Sequence, residues 1–451
     1  MRFDLLIRDA EIHDGTGAVS RGDVGVLGDW IAAVGKAEAQ AVRTIEAKGR
    51  VLCPGFIDIH SHADLAVLRE PRHECKVLQG VTTEVFTSCG LGFAPVTERS
   101  MELQKENLSV LFGEVPDMDW RSTRDYLGRI RASTNVAYLV SHGALRSAVK
   151  GHDLTPATRE EMKEMRALAR EAAKEGALGM SVGLYYKPMT AASAEETAAL
   201  AAEVGGFFAI HIRDMGRRLF ESMDEAIEIS ARSRVPVQIS HLQAVRMNRG
   251  KAADMIRKIE EAQGRGLDVT GDLYPYTAGS TMLSAVKPEE YDDIAWDKAF
   301  LVETGECIGT KERARTLSGP YIEHNRDEED VDRFMKRPWT TIGSDGLHVG
   351  KRPHPRLWGT FPRVLHRWGL DTIPKMTSLA AARLGLKDRG VIRERAAADL
   401  VLLSKPRDVA TFEDPVRPPE GIDLVVVNGV VVAENGRHTG AVPGRVLGRP
   451  S

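Results

Sequence analysis

Short apolar runs alternate with longer amphipathic stretches through the middle of the chain. Eight runs rich in Val, Ile, Phe and Thr predict buried strands at 56–59, 83–87, 136–140, 179–182, 207–210, 236–240, 268–271 and 340–343. Apolar residues at helical spacing predict helices between them, including 156–175, 195–204, 219–233 and 251–264. This alternation indicates a parallel sheet, and eight strands match a (β/α)8 TIM-like barrel. An open doubly wound sheet is the alternative, but no GxGxxG motif follows the first strand.

The two chain ends have a different pattern, in which short strand-like runs are separated by turn residues. Such runs occur at 5–7, 23–26, 30–34, 399–403 and 423–432, with the hairpin-type dipeptides Asn428-Gly429 and Asn435-Gly436. Because chain ends often lie close together, we expect residues 1–51 and 391–451 to build one small β-sandwich domain beside a barrel at 52–390. The stretch at about 277–338 is too long for a plain loop and predicts a lid or insert.

Composition narrows the class of protein. The chain has 451 residues, 42% of them apolar and 28% charged, which is ordinary for a globular protein. The formal net charge of −3 gives no reason to expect nucleic acid as a partner. The sequence contains neither a signal peptide pattern nor an apolar run of about 18 residues. We therefore expect a cytoplasmic enzyme with reduced cysteines, a small-molecule substrate and no membrane association; the oligomeric state is left open.

Metal-binding residue types follow five of the eight predicted strands. Active sites of such barrels lie at the carboxyl ends of the strands. The residues found there are His60, His62, Cys89, His211, His241 and Asp345. Each alone has an ordinary explanation, such as a hydrogen-bonded histidine or an inert buried thiol, but the set predicts a metal site. Imidazole and thiolate ligands favour Zn²⁺ over Mg²⁺ or Ca²⁺.

The same strand ends resemble those of a known superfamily. The HxH after strand 1, the single His after strands 5 and 6 and the Asp after strand 8 resemble the amidohydrolases, which pair a (β/α)8 barrel with a β-sandwich made from both chain ends. A closer resemblance, to the D-aminoacylases, which are zinc N-acyl-D-amino-acid deacylases, covers nearly the whole chain. It is carried by PGFIDIHSHADL, GVTTEVFTSCGLGFAPV, GALGMSVGLYY, HIRD, QISHLQ, DVTGDLYPYTAGST, IGSDG, HPRLWGTFPRVL and GAVPGRVL.

The resemblance implies a role for each metal-binding residue. The tight zinc ion would be held by Cys89, His211 and His241. A second, weaker metal position would be lined by His60, His62 and Asp345, with Cys89 as the bridge. Hydantoinases and dihydroorotases, the alternative enzymes, bridge with a carboxylated lysine at the end of strand 4. Here Lys187 lies several residues beyond that strand, so we expect it to be a solvated loop residue.

Asp345 is the expected general base towards water and general acid towards the leaving amine. A serine nucleophile has one literal match, Ser181 in GMSVG, but that residue lies inside predicted strand 4 and not at a strand-to-helix turn. We therefore expect Ser181 to pack in the barrel. His348 and His354 lie on the loop after strand 8, where we expect solvated side chains.

Substrate contacts are also implied by the resemblance. The candidates that it gives for binding an amino-acid carboxylate are Arg356, Tyr274, Ser280 and Tyr186. Arg213 is a further candidate from strand alternation, because it lies two residues after His211 and should point to the same face. Gln243 in SHLQ stands where the family usually has a lysine, which removes a positive charge from the predicted pocket. The insert also looks shorter than in the family, so the resemblance leaves the pocket size open.

The predicted function is zinc-dependent hydrolysis of the amide bond of an N-acyl-D-amino acid. The alternative is a related amidohydrolase that acts on a cyclic amide or imide or on a D-containing dipeptide, and Gln243 keeps this alternative open. A non-catalytic scaffold is disfavoured because all six metal-binding positions are retained.

Overall fold

Eight parallel strands form the barrel that the sequence predicts. A computed structural model describes residues 2–448. Its barrel strands are Phe56–Asp58, Val81–Phe86, Asn135–Ser141, Gly179–Gly183, Phe207–His211, Val237–Ile239, Val269–Leu273 and Thr340–Ile342. Each strand pairs in parallel with the next one along the chain. The barrel closes where Gly346–Leu347 pairs with Ser61–His62, beyond the ends of the eighth and first strands.

Helices connect the strands and cover the barrel. They are Ala66–Arg69, Glu74–Val77, Met101–Phe112, Thr123–Arg129, His142–Lys150, Arg159–Lys174, Ala194–Val204, Leu219–Ser233, Ala252–Gly264, Lys311–Ala314, Glu328–Met335, Arg356–Trp368, Ile373–Met376 and Ser378–Arg383. Arg159–Lys174 shows why they form: Thr158 and Glu161 make a reciprocal capping box at its start, and Met165, Ala169 and Ala172 bury one face at helical spacing. None of the helices in the described part of the chain is long and apolar enough to span a membrane.

The chain ends share one β-sheet outside the barrel. Its strands are Arg2–His13, Val19–Leu27, Trp30–Gly35, Gln40–Glu46, Val51–Pro54, Leu400–Arg407, Glu420–Val427, Val430–Glu434 and Arg437–His438. The two ends meet where Val51–Pro54 pairs antiparallel with Leu400–Arg407. Asn428 and Gly429 both have positive φ, as a two-residue hairpin turn requires. The predicted fold class, a barrel with a small β domain built from both termini, is confirmed.

The stretch between the seventh and eighth strands folds into a unit of its own. Its three antiparallel strands are Ala278–Met282, Ala299–Leu301 and Pro320–His324. They enclose a small core of Leu283, Val286, Ile294, Trp296 and Tyr321. Side chains of this insert line the same cavity as the predicted metal ligands, so the insert forms one wall of the site.

Candidate metal centre

The barrel brings all six predicted metal-binding side chains to one buried cluster. We call the group His60, His62, Cys89, His211, His241 and Asp345 the mouth cluster, because it lies at the carboxyl ends of the strands. Three of its members, Cys89, His241 and Asp345, have positive φ angles of 56°, 37° and 49°. That conformation is unfavourable for residues with a β-carbon, and such backbone strain is concentrated at functional sites.

The thiol of Cys89 lies among the histidines. Its Sγ is 3.4 Å from His60 Nε2 and 3.6 Å from His241 Nε2. His241 Nε2 is in turn 2.8 Å from His211 Nδ1. Nitrogen and sulfur ligands of one tetrahedral zinc ion are separated by about 3.3 to 3.6 Å, given zinc bond lengths near 2.05 and 2.3 Å. The two sulfur–nitrogen distances therefore fit ligands of a shared cation, whereas the nitrogens of His241 and His211 lie at hydrogen-bond distance.

A second group of ligand atoms adjoins the first through His60. Asp345 Oδ1 is 3.1 Å from His62 Nε2 and 3.5 Å from His60 Nε2. The three side chains could hold one metal ion, as could the group of His60, Cys89 and His241. Four imidazoles, one thiol and one carboxylate are the donor set of a borderline or soft divalent ion such as zinc, not of Mg²⁺ or Ca²⁺. The residues present thus fit a metal, with room for either one or two ions.

Both acidic members of the mouth cluster are held in their charged forms. Burial opposes ionisation of Asp345, but the guanidinium of Arg356, 2.9 Å away, and the ring of His62 hold the pKa of this carboxyl well below its usual range. Burial likewise opposes ionisation of Cys89, but His60 and His211 hold the pKa of its thiol well below the usual value. Two buried anions need positive charge beside them, which a divalent cation would supply.

Asp272, in the seventh strand, is a buried residue beside the mouth cluster that the sequence analysis missed. Its Oδ1 lies 3.3 Å from His60 Nδ1 and accepts a hydrogen bond of 2.8 Å from the backbone N–H of His241. Its Oδ2 accepts a hydrogen bond of 2.9 Å from Gln238. A carboxylate on the far nitrogen of a ligand histidine fixes the ring and raises its basicity. The available signal was an acidic residue inside an otherwise buried strand.

A cavity of about 100 Å³ opens onto the mouth cluster. Among its lining residues are four of the predicted substrate contacts, Tyr186, Gln243, Tyr274 and Ser280. Gln243 Nε2 donates a hydrogen bond of 3.0 Å to Tyr274 Oη. The cavity therefore joins the candidate metal ligands to hydroxyl and amide groups that can bind a polar substrate.

The other two predicted substrate contacts have different surroundings. Arg356 is fully buried, pairs with Asp345 Oδ2 and lies 4.4 Å over the ring of Tyr274. Arg213 forms an ion pair of 2.8 Å with Glu225 and donates to two backbone carbonyls, so its guanidinium is already bound outside the cavity. The structure thus brings Arg356 to the cluster but not Arg213.

Charged residues of the insert and its neighbours also line the cavity, and the sequence analysis did not find them. Arg246 lies between two carboxylates, 3.1 Å from Glu290 and 2.9 Å from Glu323. Tyr185 also donates a hydrogen bond of 3.0 Å to Glu290. Together Arg246, Glu290 and Glu323 carry a formal charge of −1 in the wall of the cavity. No periodic pattern in the sequence marks these positions, because they meet only when the insert folds over the barrel.

The expectation of solvated histidines after strand 8 is wrong. His354 is 2% exposed, its Nε2 is 3.1 Å from the carbonyl of Ala278, and its Nδ1 accepts a hydrogen bond from the backbone of Arg356. His348 is half-buried and stacks against His73. The loop is covered because the insert and the helix Glu74–Val77 pack against it.

Two other expectations about side chains are confirmed. Ser181 is buried within the fourth strand, accepts a hydrogen bond from the backbone N–H of Gly90 and donates one to the carbonyl of Thr87. It is therefore a packing residue of the barrel. Lys187 is exposed and lies beyond the strand, away from the mouth cluster.

Comparison with known proteins identifies the family. The model of the Amidohydrolase family matches residues 43–273 and 303–433. A D-aminoacylase of Alcaligenes xylosoxydans xylosoxydans is 38% identical over 478 residues, which cover 99% of this chain and 98% of that protein.

Solved structures agree with the sequence comparison. A crystal structure of D-aminoacylase superposes with a TM-score of 0.92 at 36% identity, covering 99% of this chain and 100% of that one. The N-acyl-D-glutamate deacylase of Bordetella bronchiseptica, complexed with zinc and a phosphonate inhibitor that mimics the tetrahedral intermediate, superposes with a TM-score of 0.88 at 32% identity, with coverage of 99% and 100%. This chain belongs to the amidohydrolase family and, within it, to the group of the D-aminoacylases.

Proposed function

We propose that this chain is a zinc-dependent amidohydrolase that removes the acyl group from N-acyl-D-amino acids. The observation that carries the proposal is the mouth cluster itself, in which one thiolate, one carboxylate and four imidazoles converge beside a cavity lined by polar groups. The similar D-aminoacylase and the zinc-bound deacylase support the same reaction and the same metal.

The proposed ligands of the tight zinc ion are Cys89, His211 and His241. His60, His62 and Asp345, with Cys89 as the bridge, are the proposed ligands of a second, weaker position. A bound zinc ion supplies a Lewis acid that polarises the amide carbonyl and makes water nucleophilic near neutral pH. Asp272 keeps the ring of His60 in place for this role.

Asp345 is the proposed general base and acid. Its Oδ2 is bound by Arg356, whereas its Oδ1 faces His60 and His62 at the floor of the cavity. Oδ1 is therefore the atom that can take a proton from water and pass it to the leaving amine. Because the guanidinium of Arg356 keeps the carboxyl ionised, the base is present in its active form at neutral pH.

The carboxylate of the substrate has a proposed binding place at Tyr274, Ser280 and Gln243. Two buried guanidiniums lie over the ring of Tyr274, those of Arg326 at 4.5 Å and Arg356 at 4.4 Å. Arg326 also donates a hydrogen bond of 2.5 Å to Tyr274 Oη and has no carboxylate within ion-pair distance among residues 2–448. Because Arg356 is paired with Asp345, the charge of Arg326 is the one that can replace the charge missing at Gln243.

The wall formed by Arg246, Glu290 and Glu323 favours neutral or basic substrate side chains over acidic ones. Its formal charge of −1 repels a second carboxylate, and like charges brought together at a binding surface cost several kcal/mol. The substrates that we propose are therefore N-acyl derivatives of D-amino acids with neutral or basic side chains.

The test is hydrolysis of a substrate panel with metal analysis of the same preparation. The panel contains N-acetyl-D- and N-acetyl-L-methionine, N-acetyl-D-glutamate, a hydantoin and a D-containing dipeptide. We expect release of acetate from the D-methionine derivative and little or none from its enantiomer. Turnover confined to the hydantoin or the dipeptide would instead support the alternative amidohydrolase.

A further inference from the structure

We propose that His73, Cys75 and His348 bind a structural divalent metal ion, zinc by preference, at a site distinct from the mouth cluster. One ligand atom from each of the three side chains lies within 4.8 Å of the other two. His73 Nε2 and His348 Nε2 are 3.4 Å apart. Two nitrogen ligands of a tetrahedral zinc ion are separated by about 3.3 Å, so the two rings already have the spacing of a shared ion. We call this group the loop cluster.

The loop cluster joins two segments that are far apart in sequence. His73 precedes the helix Glu74–Val77 with a positive φ of 51°, and Cys75 lies within that helix. His348 directly follows the short strand Gly346–Leu347, on the loop after the eighth barrel strand. The left-handed backbone at His73, unfavourable for a residue with a β-carbon, brings its ring to the same place as the thiol of Cys75.

Glu84 gives His73 the partner that a metal-binding histidine usually has. Its Oε1 is 2.7 Å from His73 Nδ1, and the same oxygen accepts a hydrogen bond of 2.9 Å from Thr134. With Nδ1 beside a carboxylate, Nε2 is the nitrogen that faces His348. This order of carboxylate, imidazole and open ligand position is the common outer arrangement of zinc sites, and Asp272 and His60 repeat it in the mouth cluster.

The charges around the loop cluster are suited to a cation. Burial lowers the pKa of His73, but Glu84 and Cys75 outweigh it and raise that pKa to about 10, so a positive charge is stabilised at this point. Burial and the charge of His73 hold the pKa of His348 well below its usual value, which leaves its ring neutral and able to donate a lone pair. The nearby Lys76 is engaged by Asp58 and Ser344, at 2.6 Å each. A proton on the His73 ring would compete with the metal ion for this place.

A metal ion at the loop cluster would influence catalysis by fixing the position of Asp345. His348 is three residues after Asp345, so an ion held by His348 and Cys75 would tie the loop that carries Asp345 to the helix Glu74–Val77. A cavity of about 160 Å³, lined by His348, Leu65, Ala66, Arg69, Glu70 and Phe112, adjoins the site and has room for water as a fourth ligand. His348 and Cys75 are therefore positioning residues in this account.

The test uses cobalt as the probe in the variant Cys89→Ala, which lacks the thiolate of the mouth cluster. We expect Cys89→Ala to bind Co²⁺ with a near-ultraviolet thiolate-to-cobalt absorption band, because Cys75 still offers its sulfur. The double variant Cys89→Ala/Cys75→Ala should lose the band, whereas Cys89→Ala/Cys307→Ala, which removes an exposed thiol outside both clusters, should keep it. The absence of the band in Cys89→Ala, or its survival without Cys75, would overturn the proposal in favour of a proton on His73.

A second measurement does not depend on the folding of the Cys89 variants. Zinc-loaded wild-type protein and Cys75→Ala are passed over a desalting column, and zinc per chain is determined by mass spectrometry. We expect the variant to hold one zinc ion fewer per chain, and equal zinc contents would contradict the site. Neither readout uses substrate turnover, so the result is independent of the proposed deacylase activity.

Discussion

The mouth cluster and the loop cluster use the same ligand types in different surroundings. In the mouth cluster, the side chains come from five strand ends and face a cavity lined by four of the predicted substrate contacts. Three of the six residues have strained backbone. At the loop, they come from a short helix, the residue before it and one loop, and the Oε1 atom of the neighbouring Glu84 contacts both His73 and Thr134. The mouth cluster, by contrast, includes Asp345, whose Oδ1 faces the other ligands.

The difference shows that histidine and cysteine ligands alone do not mark a catalytic site. A carboxylate among the ligand atoms themselves and a cavity lined by groups that can bind a substrate are what separate the two clusters. On this account the mouth cluster does the chemistry, whereas the loop cluster holds Asp345 in place. Four substitutions test that division, from the largest expected effect to the smallest.

The variant Asp345→Asn should retain zinc but lose most of its turnover. An amide cannot take up the proton that the Asp345 carboxylate accepts, and general acid–base catalysis is worth about 10²- to 10⁴-fold in rate, so kcat on N-acetyl-D-methionine should fall by that factor. Acetate release is measured in stopped-time assays, and zinc is determined in the same samples. Unchanged turnover would remove Asp345 from the mechanism and with it the main distinction between the clusters.

The variant Asp272→Asn should weaken metal binding at the mouth cluster. Loss of the carboxylate beside His60 Nδ1 should lower the zinc affinity of the weaker position, to which His60 belongs, by about 10- to 100-fold, as is usual for such partners of ligand histidines. Competition with a chromophoric chelator measures the affinity. Asp268→Asn is the matched control, since Asp268 is exposed just before the same strand and pairs with Arg383. Equal affinities of the two variants would contradict the role given to Asp272.

The variant Glu290→Gln should relax discrimination against acidic substrates. The substitution changes the formal charge of the wall, which also contains Arg246 and Glu323, from −1 to 0. The ratio of kcat/KM for N-acetyl-D-glutamate to that for N-acetyl-D-methionine should therefore rise by about tenfold, or about 1.4 kcal/mol. Glu289→Gln, which changes an exposed carboxylate next to it, is the control. If the ratio shifts equally in both variants, the wall does not set specificity.

The variant Cys75→Ala should have the smallest effect on turnover. Losing one ligand of the loop cluster lets the loop that carries Asp345 shift slightly. A displacement of 1 Å can lower the rate by about 10²-fold, so a shift of a fraction of 1 Å should lower kcat by about threefold. The value of KM should stay unchanged, because no substrate contact is altered. A kcat loss as large as that of Asp345→Asn would mean that the loop cluster takes part in the chemistry.

The fold could be predicted because each barrel strand is an apolar run in the sequence. All eight predicted strands are present, with ends that differ by at most two residues, as at 83–87 against Val81–Phe86. The exact ends of a strand depend on which backbone groups pair across the sheet, and a single sequence does not contain that information. The convergence of the six proposed ligands could be predicted for a related reason: residues at the ends of parallel strands meet at one edge.

The remaining parts of the site escaped prediction for physical reasons. Arg213 was placed in the site by strand alternation, but its strand ends at His211 and alternation does not continue beyond it. Arg326, Glu290 and Glu323 reach the cavity through the packing of the insert, which follows no simple period. His348 was taken as solvated because its cover, the segment with His73, is distant in sequence and close in space.

The most direct test of the central claim is zinc titration of metal-free enzyme on N-acetyl-D-methionine. Protein stripped with a chelator is given increasing zinc, and acetate release is followed together with bound zinc. We predict no turnover without metal, recovery that follows zinc binding in the wild type, no recovery in Cys89→Ala, and little cleavage of the L-enantiomer throughout. Turnover by metal-free protein, or zinc-loaded wild type that leaves the D-substrate intact, would contradict the account.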